Sequence, residues 1–535
     1  MSQVKISNLT FSYEDSGEPV FDGVSFAFDT DWKLGLVGRN GKGKTTLANL
    51  LLGKYPYQGS IDTSGTVFDY FPYEAEDDEP RTASELAGIW KPQAEEWKII
   101  RELNLMDADP EMLYRPFSTL SFGERMRVML AVLFSVEGEF LIIDEPTNHL
   151  DVSARETVKN YLRSKKSFLL ISHDRDLLDA VIDHILVMNR TTIEVQAGNF
   201  SSWWENKQRS DHFAESENEK HRKEISELKK AAQTAERWAQ KNESTKIGFD
   251  PVQEHDRSIS TRSFIGKKTQ KMESRVKNFK VRMDREIQEK EGLLADVEKD
   301  AVLKMIPLEF HKKVLVSARD YSFQYDPEKP LISHLTFEIR QGDRVFLNGP
   351  NGCGKSTLIQ RILAAAQKNG PEPVKAGKEG VGAGSEDSFG IGSGIMLGRE
   401  SGELNVPAGL VISYVNQNTG FLRGTIQEFC EQRGLDETLF ISILRQLAVE
   451  RSQLEKRMED FSEGQKKKVL LASSIMTPAH LYIWDEPLNY IDVFSRVQLE
   501  NMILSCRPTM LIVEHDVRFR QNIATGSVDK FRNQG

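Results

Sequence analysis

A chain of 535 residues exceeds what one hydrophobic core holds and calls for several domains. Its hydrophobic share of 39% and charged share of 28% are those of a globular protein, and its longest apolar runs, at 128–134 and 168–171, fall far short of the roughly 20 residues of a membrane-spanning helix, which argues against a transporter. A net charge of −10 argues against nucleic-acid binding by the surface as a whole, and three scattered cysteines (Cys353, Cys430, Cys506) exclude a disulfide scaffold or a cysteine metal site. The first residues enter a strand pattern with no signal-peptide core, so the sequence reads as a cytoplasmic protein with reduced thiols.

In chain order, residues 33–37 are a predicted strand that enters Gly38-Arg39-Asn40-Gly41-Lys42-Gly43-Lys44-Thr45, with Thr46 in the helix that follows. Leu120-Ser121-Phe122-Gly123-Glu124 opens a later helix. Residues 140–144 are an apolar strand ending on Asp144, with Glu145 next, and 168–172 are a further strand with His173 after it.

Residues 205–300 are charged and predicted helical. Ile225, Leu228, Ala232, Ala235 and Ala239 recur at steps of three and four, and Met272, Val276, Phe279, Met283, Ile287, Leu294 and Val297 do so further on. Between them, 242–263 holds Gly248, Asp250-Pro251 and several Ser and Thr, which break a helix. Two antiparallel helices joined at a tip follow, each arm of about thirty-five residues reaching roughly 50 Å. From 257 to 285, ten basic residues face two acidic ones, Glu273 and Asp284, a local excess near the tip of an otherwise acidic chain.

The second half repeats the first. Residues 344–347 enter Gly349-Pro350-Asn351-Gly352-Cys353-Gly354-Lys355-Ser356, with Thr357 after it; Phe461-Ser462-Glu463-Gly464-Gln465 opens a helix; 481–485 is a strand ending on Asp485, with Glu486 next; and His515 follows the strand 509–514. Glu145 to Glu486 is 341 positions and His173 to His515 is 342, whereas Lys44 to Glu145 is 101 and Lys355 to Glu486 is 131. The second half therefore carries an insertion of roughly thirty residues, which composition places at about 368–403, a Gly-rich stretch too poor in apolar groups to order itself.

Gly-x4-Gly-Lys-Ser/Thr between a strand and a helix is a phosphate-binding loop. Its glycines (Gly38, Gly41, Gly43; Gly349, Gly352, Gly354) let backbone N–H groups wrap phosphates at a helix N-terminus, with Asn40 and Asn351 in the same loops. Lys44 and Lys355 reach phosphate oxygens, while Thr45 and Ser356 offer hydroxyls to Mg²⁺. Asp144 and Asp485 end buried strands near the phosphates and are candidate Mg²⁺ groups. Glu145 and Glu486, one residue on, are candidates to activate water, and His173 and His515 to touch the γ-phosphate. Ser121-Phe122-Gly123 and Ser462-Glu463-Gly464 begin helices, which bind anions at their N-termini, yet neither faces a phosphate of its own.

That last pattern resembles the ABC ATPase superfamily, in which each such signature completes the nucleotide site of the opposite cassette. The resemblance covers nearly all of the chain outside the helical segment and the Gly-rich stretch. It implies an α/β fold of two tandem ABC-type P-loop ATPase domains: 1–204, a helical linker 205–303, and 304–535. It also implies two ATP molecules with Mg²⁺ between halves that close head to tail within a monomer. Ser121, Gly123, Ser462 and Gly464 would contact nucleotide, Tyr13 and Tyr325 resemble the aromatic that stacks on adenine, and Gln417 the glutamine that reaches the metal. In the first half that glutamine is replaced by Tyr73, and both signatures lack the usual middle glycine, having Phe122 and Glu463. Tyr73 and Glu463 would meet at the Lys44 site, which is expected to turn over more slowly than the Lys355 site.

Tandem cassettes with a long charged helical linker are similar to the ABC-F family of ribosome-associated ATPases. Gly198-Asn199-Phe200-Ser201 leading into Trp203-Trp204, and Trp484-Asp485-Glu486-Pro487-Leu488-Asn489-Tyr490, look like its antibiotic-resistance branch, the Lsa-type and Vga-type proteins. The resemblance implies binding to the ribosomal E site when ATP closes the clamp. The linker tip would reach the peptidyl-transferase centre beside the P-site tRNA and displace a bound drug of the lincosamide, pleuromutilin or streptogramin A type, and hydrolysis would release the protein. Phe249, Arg257, Arg262, Lys267, Lys268, Lys271 and Arg275 would then meet large-subunit rRNA or tRNA. A housekeeping ABC-F translation factor, a DNA-associated ATPase and the ATPase subunit of an exporter are the alternative readings.

Overall fold

The computed structural model describes residues 2–13, 19–76, 79–148, 150–189, 192–244, 274, 277–279, 281–283, 285, 303–325, 330–368 and 398–529. The chain divides into two compact units, one of residues 1–203 with 300–535 and one of 204–299.

Within the larger unit each half builds the same pair of sheets. In the first, β1 (Gln3–Phe11) lies between antiparallel β2 (Phe21–Asp29) and β4 (Gln58–Asp62). A second sheet runs β5-β6-β7-β3-β8-β9, where β3 is Lys33–Gly38, β5 Val67–Phe71, β6 Glu139–Asp144, β7 Phe168–Ile171, β8 His184–Met188 and β9 Ile193–Ala197. All of it is parallel except the antiparallel edge β9. In the other half, β10 (Val314–Gln324) sits between β11 (Ile332–Arg340) and β13 (Arg399–Asn405), and a parallel sheet runs β14-β15-β16-β12-β17. There β12 is Arg344–Leu347, β14 Ile412–Val415, β15 Leu481–Asp485, β16 Met510–Val513 and β17 Gly526–Val528. Parallel strands buried on both faces read as unbroken apolar runs, which is why β7 and β16 are buried at every position.

Side chains from both sheets of a half meet the first helix after the phosphate loop. In the first half Val4, Phe28, Leu34, Leu47 and Ile142 join one core, and in the second Val316, Ile339, Leu358, Ile483 and Leu511 join the corresponding one. A further core of the second half gathers Phe440, Leu444, Val469, Leu471 and Trp484 beneath the helix Glu463–Met476.

Strand β13 corrects one expectation. Residues 399–403 were assigned by composition to the Gly-rich loop, but they are strand paired to β10, with Ser317 opposite Asn405 and Gln324 opposite Arg399. Six of its seven residues are exposed, so no apolar alternation marks it in the sequence. The rest of that stretch, 369–397, lies outside the described residues.

The smaller unit holds all but the first four residues of the helix Phe200–Ser244, with Ile225 buried on the predicted seam. Residues 277–279 and 281–283 are helical, and Met283 is buried. The predicted tip, with Phe249, Arg257, Arg262, Lys267, Lys268, Lys271 and Arg275, lies outside the described residues.

Candidate functional site

Register places the chemistry. Asp144 on β6 is level with Ile171 on β7, and Asp485 on β15 with Val513 on β16. Glu145 N donates to Ile171 O at 2.8 Å and Glu486 N to Val513 O at 2.9 Å, so each glutamate is pinned one step beyond its strand, and each histidine follows two residues after the neighbouring strand ends. Glu145 and Glu486 both adopt left-handed backbone, at φ 50° and 47°, an uncommon conformation for such residues that recurs at functional sites. The same levelling pairs Phe71 with Ile143 and Val415 with Trp484, which makes Tyr73 and Gln417 positional equivalents.

The loops themselves require glycine. Gly43 and Gly354 stand at φ 93° and 96°, where a Cβ would strike Val20 at 2.6 Å and Leu331 at 2.9 Å. In the second loop Lys355 Nζ folds back onto Gly349 O at 2.7 Å and Pro350 O at 3.1 Å. In the first, Lys44 Nζ does the same to Gly38 O at 2.8 Å and Arg39 O at 3.3 Å, and reaches Asn40 Oδ1 at 3.2 Å. Tyr13 and Tyr325 are 40% and 43% exposed, and their hydroxyls lie 2.8 Å from Thr46 Oγ1 and 3.4 Å from Thr357 Oγ1, which leaves each ring beside a phosphate loop.

Around Lys355, Ser356 hydrogen-bonds the Asp485 carboxyl, which burial and the adjacent Glu486 raise to about 6. Gln417 Nε2 donates to Glu486 Oε2 at 2.9 Å, and Asn489 Nδ2 donates to the same oxygen at 2.7 Å. Asn489 is a site residue that the motif reading missed, although it stands three positions from Glu486. Burial, with Lys355 nearby, pulls the His515 imidazole down to about 3. Asp485 Oδ1 and His515 Nε2 are buried with no hydrogen-bond partner. One orphaned carboxylate oxygen beside a hydroxyl, and one orphaned ring nitrogen, fit a Mg²⁺–phosphate group. Magnesium is held by one or two carboxylates plus substrate phosphates, not by a dense cage of protein ligands.

A cavity of about 420 Å³ opens over this loop, lined by Lys355, Ser356, Thr357, Gln417 and Glu486, and also by Phe122 from the signature of the first half. The halves are therefore head to tail here. Ser121 and Ser462 cap their helices as expected: each Oγ accepts from a backbone N–H three residues on, at 3.3 Å, and Glu124 and Gln465 reciprocate. Gly123 and Gly464 lie in the first turns of these helices.

The Lys44 site draws on the second half in turn. Asn40 Nδ2 donates to Tyr490 O at 2.6 Å, and Lys42 pairs with Glu450 at 3.6 Å. A Cβ on Gly464 would sit 3.0 Å from the same Tyr490 carbonyl, so the second signature abuts the first phosphate loop through Tyr490. His173 Nε2 lies 3.0 Å from Asn40 Oδ1 and 3.5 Å from Glu145 Oε1. Burial, together with Asp144, raises the Glu145 carboxyl to about 8, and burial lowers His173. Glu145 Oε1 and His173 Nδ1 have no hydrogen-bond partner.

The two sites differ around the aspartates that end their central strands. Asp144 Oδ2 accepts from Thr45 at 3.3 Å and also from Tyr70 OH at 3.0 Å, a contact not expected from sequence. Tyr73, at the glutamine position, donates to Asp69 at 2.7 Å and stacks on Trp90 at 5.1 Å.

His515 makes a pH prediction. The unfolded chain binds a proton on this ring below pH 6.5, whereas the fold refuses it until about pH 3. Its contribution to stability is whole above 6.5 and is lost as pH falls through that window. His515→Gln should remove on the order of 2 kcal/mol of the stability lost between pH 7.5 and 5, read from urea unfolding at both pH values. Equal losses in parent and variant would contradict the assignment.

Comparison with known proteins agrees with this geometry. The family model described as ABC transporter matches residues 21–148 and 332–489, one stretch in each half and together more than half of the chain. The ATP-binding protein Uup of Caulobacter vibrioides is 24% identical over 96% of this chain and 75% of its own length. The ribosome protection protein VmlR of Bacillus subtilis is 24% identical over 96% of this chain and 84% of its own. The archaeal ribosome recycling factor aABCE1, solved with the stalk protein aP1, superposes with a TM-score of 0.53 at 17% identity, covering 97% of this chain and 86% of that one, a likeness of fold. No described helix is long and apolar enough to cross a membrane. The chain is an ATPase of the ABC transporter family, with two of that family's ATP-binding domains in tandem.

Proposed function

We propose that this ATPase is an ABC-F protein that acts on the ribosome: the ATP-closed cassettes bind at the E site, and the linker tip displaces an antibiotic at the peptidyl-transferase centre. The boundaries are 1–204 and 304–535 for the cassettes and 205–303 for the linker. Glu145 and Glu486 activate water, His173 and His515 sense the γ-phosphate, and Thr45, Asp144, Ser356, Gln417 and Asp485 hold Mg²⁺. Tyr13 and Tyr325 stack on adenine.

The observation that carries the reading is the head-to-tail nucleotide sites in a single chain, one of them lined by Phe122 of the opposite signature, combined with a linker sequence that is helical over Phe200–Ser244 and basic over 257–285. Such a clamp closes without a second subunit, and a basic stretch suits phosphate-rich RNA. The relative named a ribosome protection protein supports the same reading, and so does the Trp484–Tyr490 motif of the Lsa-type and Vga-type branch. Lincosamides, pleuromutilins and streptogramin A compounds are the expected drugs. Ribosomes preloaded with a radiolabelled lincosamide should lose it when the protein and ATP are added. Ribosome binding with the drug retained would sink the protection reading in favour of a housekeeping translation factor.

A further inference from the structure

The helix Glu463–Met476 carries a buried lysine that the ATPase motifs do not explain. Lys467 is 3% exposed, and its ammonium donates to Asn416 O at 2.9 Å and to Asp485 O at 3.0 Å. These carbonyls belong to the ends of two adjacent parallel strands. Asn416 precedes Gln417, and Asp485 precedes Glu486. One turn earlier, Glu463 accepts a hydrogen bond from Thr419, which follows Gln417 in the same loop and is itself buried, and pairs with Lys466 at 3.2 Å. The helix is thus tied at two points to the groups that line the Lys355 site. Its own first turn lies at the other site, where Gly464 packs on the Tyr490 carbonyl that holds Asn40.

At the matching positions the first cassette carries apolar side chains. Counting from the capping serines, Phe122 stands where Glu463 stands and Met126 where Lys467 stands. A phenyl ring and a thioether cannot replace a carboxylate acceptor and an ammonium donor. The glutamine position there is Tyr73, engaged by Asp69 and Trp90. A buried ammonium is costly unless its donors are satisfied, so an apolar residue of the Met126 kind is the cheaper choice at this depth. Its retention in one cassette calls for a role.

We propose that Lys467 and Glu463 are positioning residues that couple the two ATP sites through the second cassette, tying the strand ends bearing Gln417 and Asp485 to the helix whose Ser462 end completes the Lys44 site. Nucleotide at Lys355 engages Gln417 and Glu486, the strand ends settle, and the tied helix presents its first turn to nucleotide at Lys44. Such linkage is reciprocal for binding, so each site strengthens the other. The coupling rests on ATP binding at both sites and not on what the clamp acts upon.

The test uses the full chain in a Glu145→Gln/Glu486→Gln background, with 8-azido-ATP labelling read on peptides of the first cassette. In that background, Lys355→Ala should weaken labelling at the Lys44 site by about 5–50-fold. With Lys467→Met, the same Lys355→Ala change should alter it by less than about twofold, and Lys467→Arg should restore the dependence. A merely structural lysine would change the melting temperature and leave the dependence intact, and that result would overturn the proposal. So would a Lys44 site that ignores Lys355→Ala from the start. If Lys467→Met does not fold, Thr419→Val cuts the Glu463 tie alone and must reduce the dependence.

Discussion

The Glu145→Gln/Glu486→Gln double variant is expected to lose ATP turnover by about 10²–10⁴-fold while still binding ATP, if these two carboxylates activate water as proposed. The amide is nearly isosteric, so the hydrogen bonds of Gln417 and Asn489 to position 486 have an oxygen to accept them. The two single variants should not be equal. At the Lys44 site, Tyr70 shares the Asp144 oxygen that would face Mg²⁺, and Tyr73, held by Asp69, stands at the position from which Gln417 reaches Glu486 at the Lys355 site. Single-turnover hydrolysis with Glu145 intact and Glu486→Gln should therefore be the slower of the two. Equal residual rates would remove the asymmetry.

Breaking the ion pair between the cassettes should be the most destabilising single change. Arg175 and Glu500, one from each half and both about 5% exposed, form a two-pronged pair, and Asn522 donates to Glu500 at 3.0 Å. Glu500→Ala removes the carboxylate hydrogen-bonded to the buried Arg175 guanidinium and leaves only the more distant charges of Asp516 and Asp174, with an expected cost of about 3–5 kcal/mol in denaturant unfolding. Arg175→Met/Glu500→Leu, which removes both charges, should cost much less. Equal losses for the single and double changes would mean that packing, not charge, governs this contact.

The placement of the candidate site residues was legible because their signals are local. A strand that is apolar at every position and ends on Asp-Glu positions its carboxylates by register alone, and the level pairing of Asp144 with Ile171 and Asp485 with Val513 follows from it. Tyr73 was likewise recognisable by position, and the structure adds what it touches. Contacts made across long separations were not legible. Nothing in Asn489-Tyr490 says that the Tyr490 carbonyl will meet Asn40, 450 positions away. Lys467 is one of three consecutive lysines in the sequence, and charge alone cannot reveal that two strand ends lie behind it. Strand β13 escaped notice for the opposite reason: six of its seven residues are exposed, so its pairing with β10 leaves no apolar alternation in the sequence.

The most direct test of the ribosome-acting clamp is sedimentation of the double glutamine variant with ribosomes, with and without ATP. Co-sedimentation that depends on ATP, and that is lost in Lys44→Ala/Lys355→Ala, is the expected result. Failure to sediment with ribosomes under any nucleotide condition would contradict it and leave the exporter-subunit and DNA-associated readings to be tested.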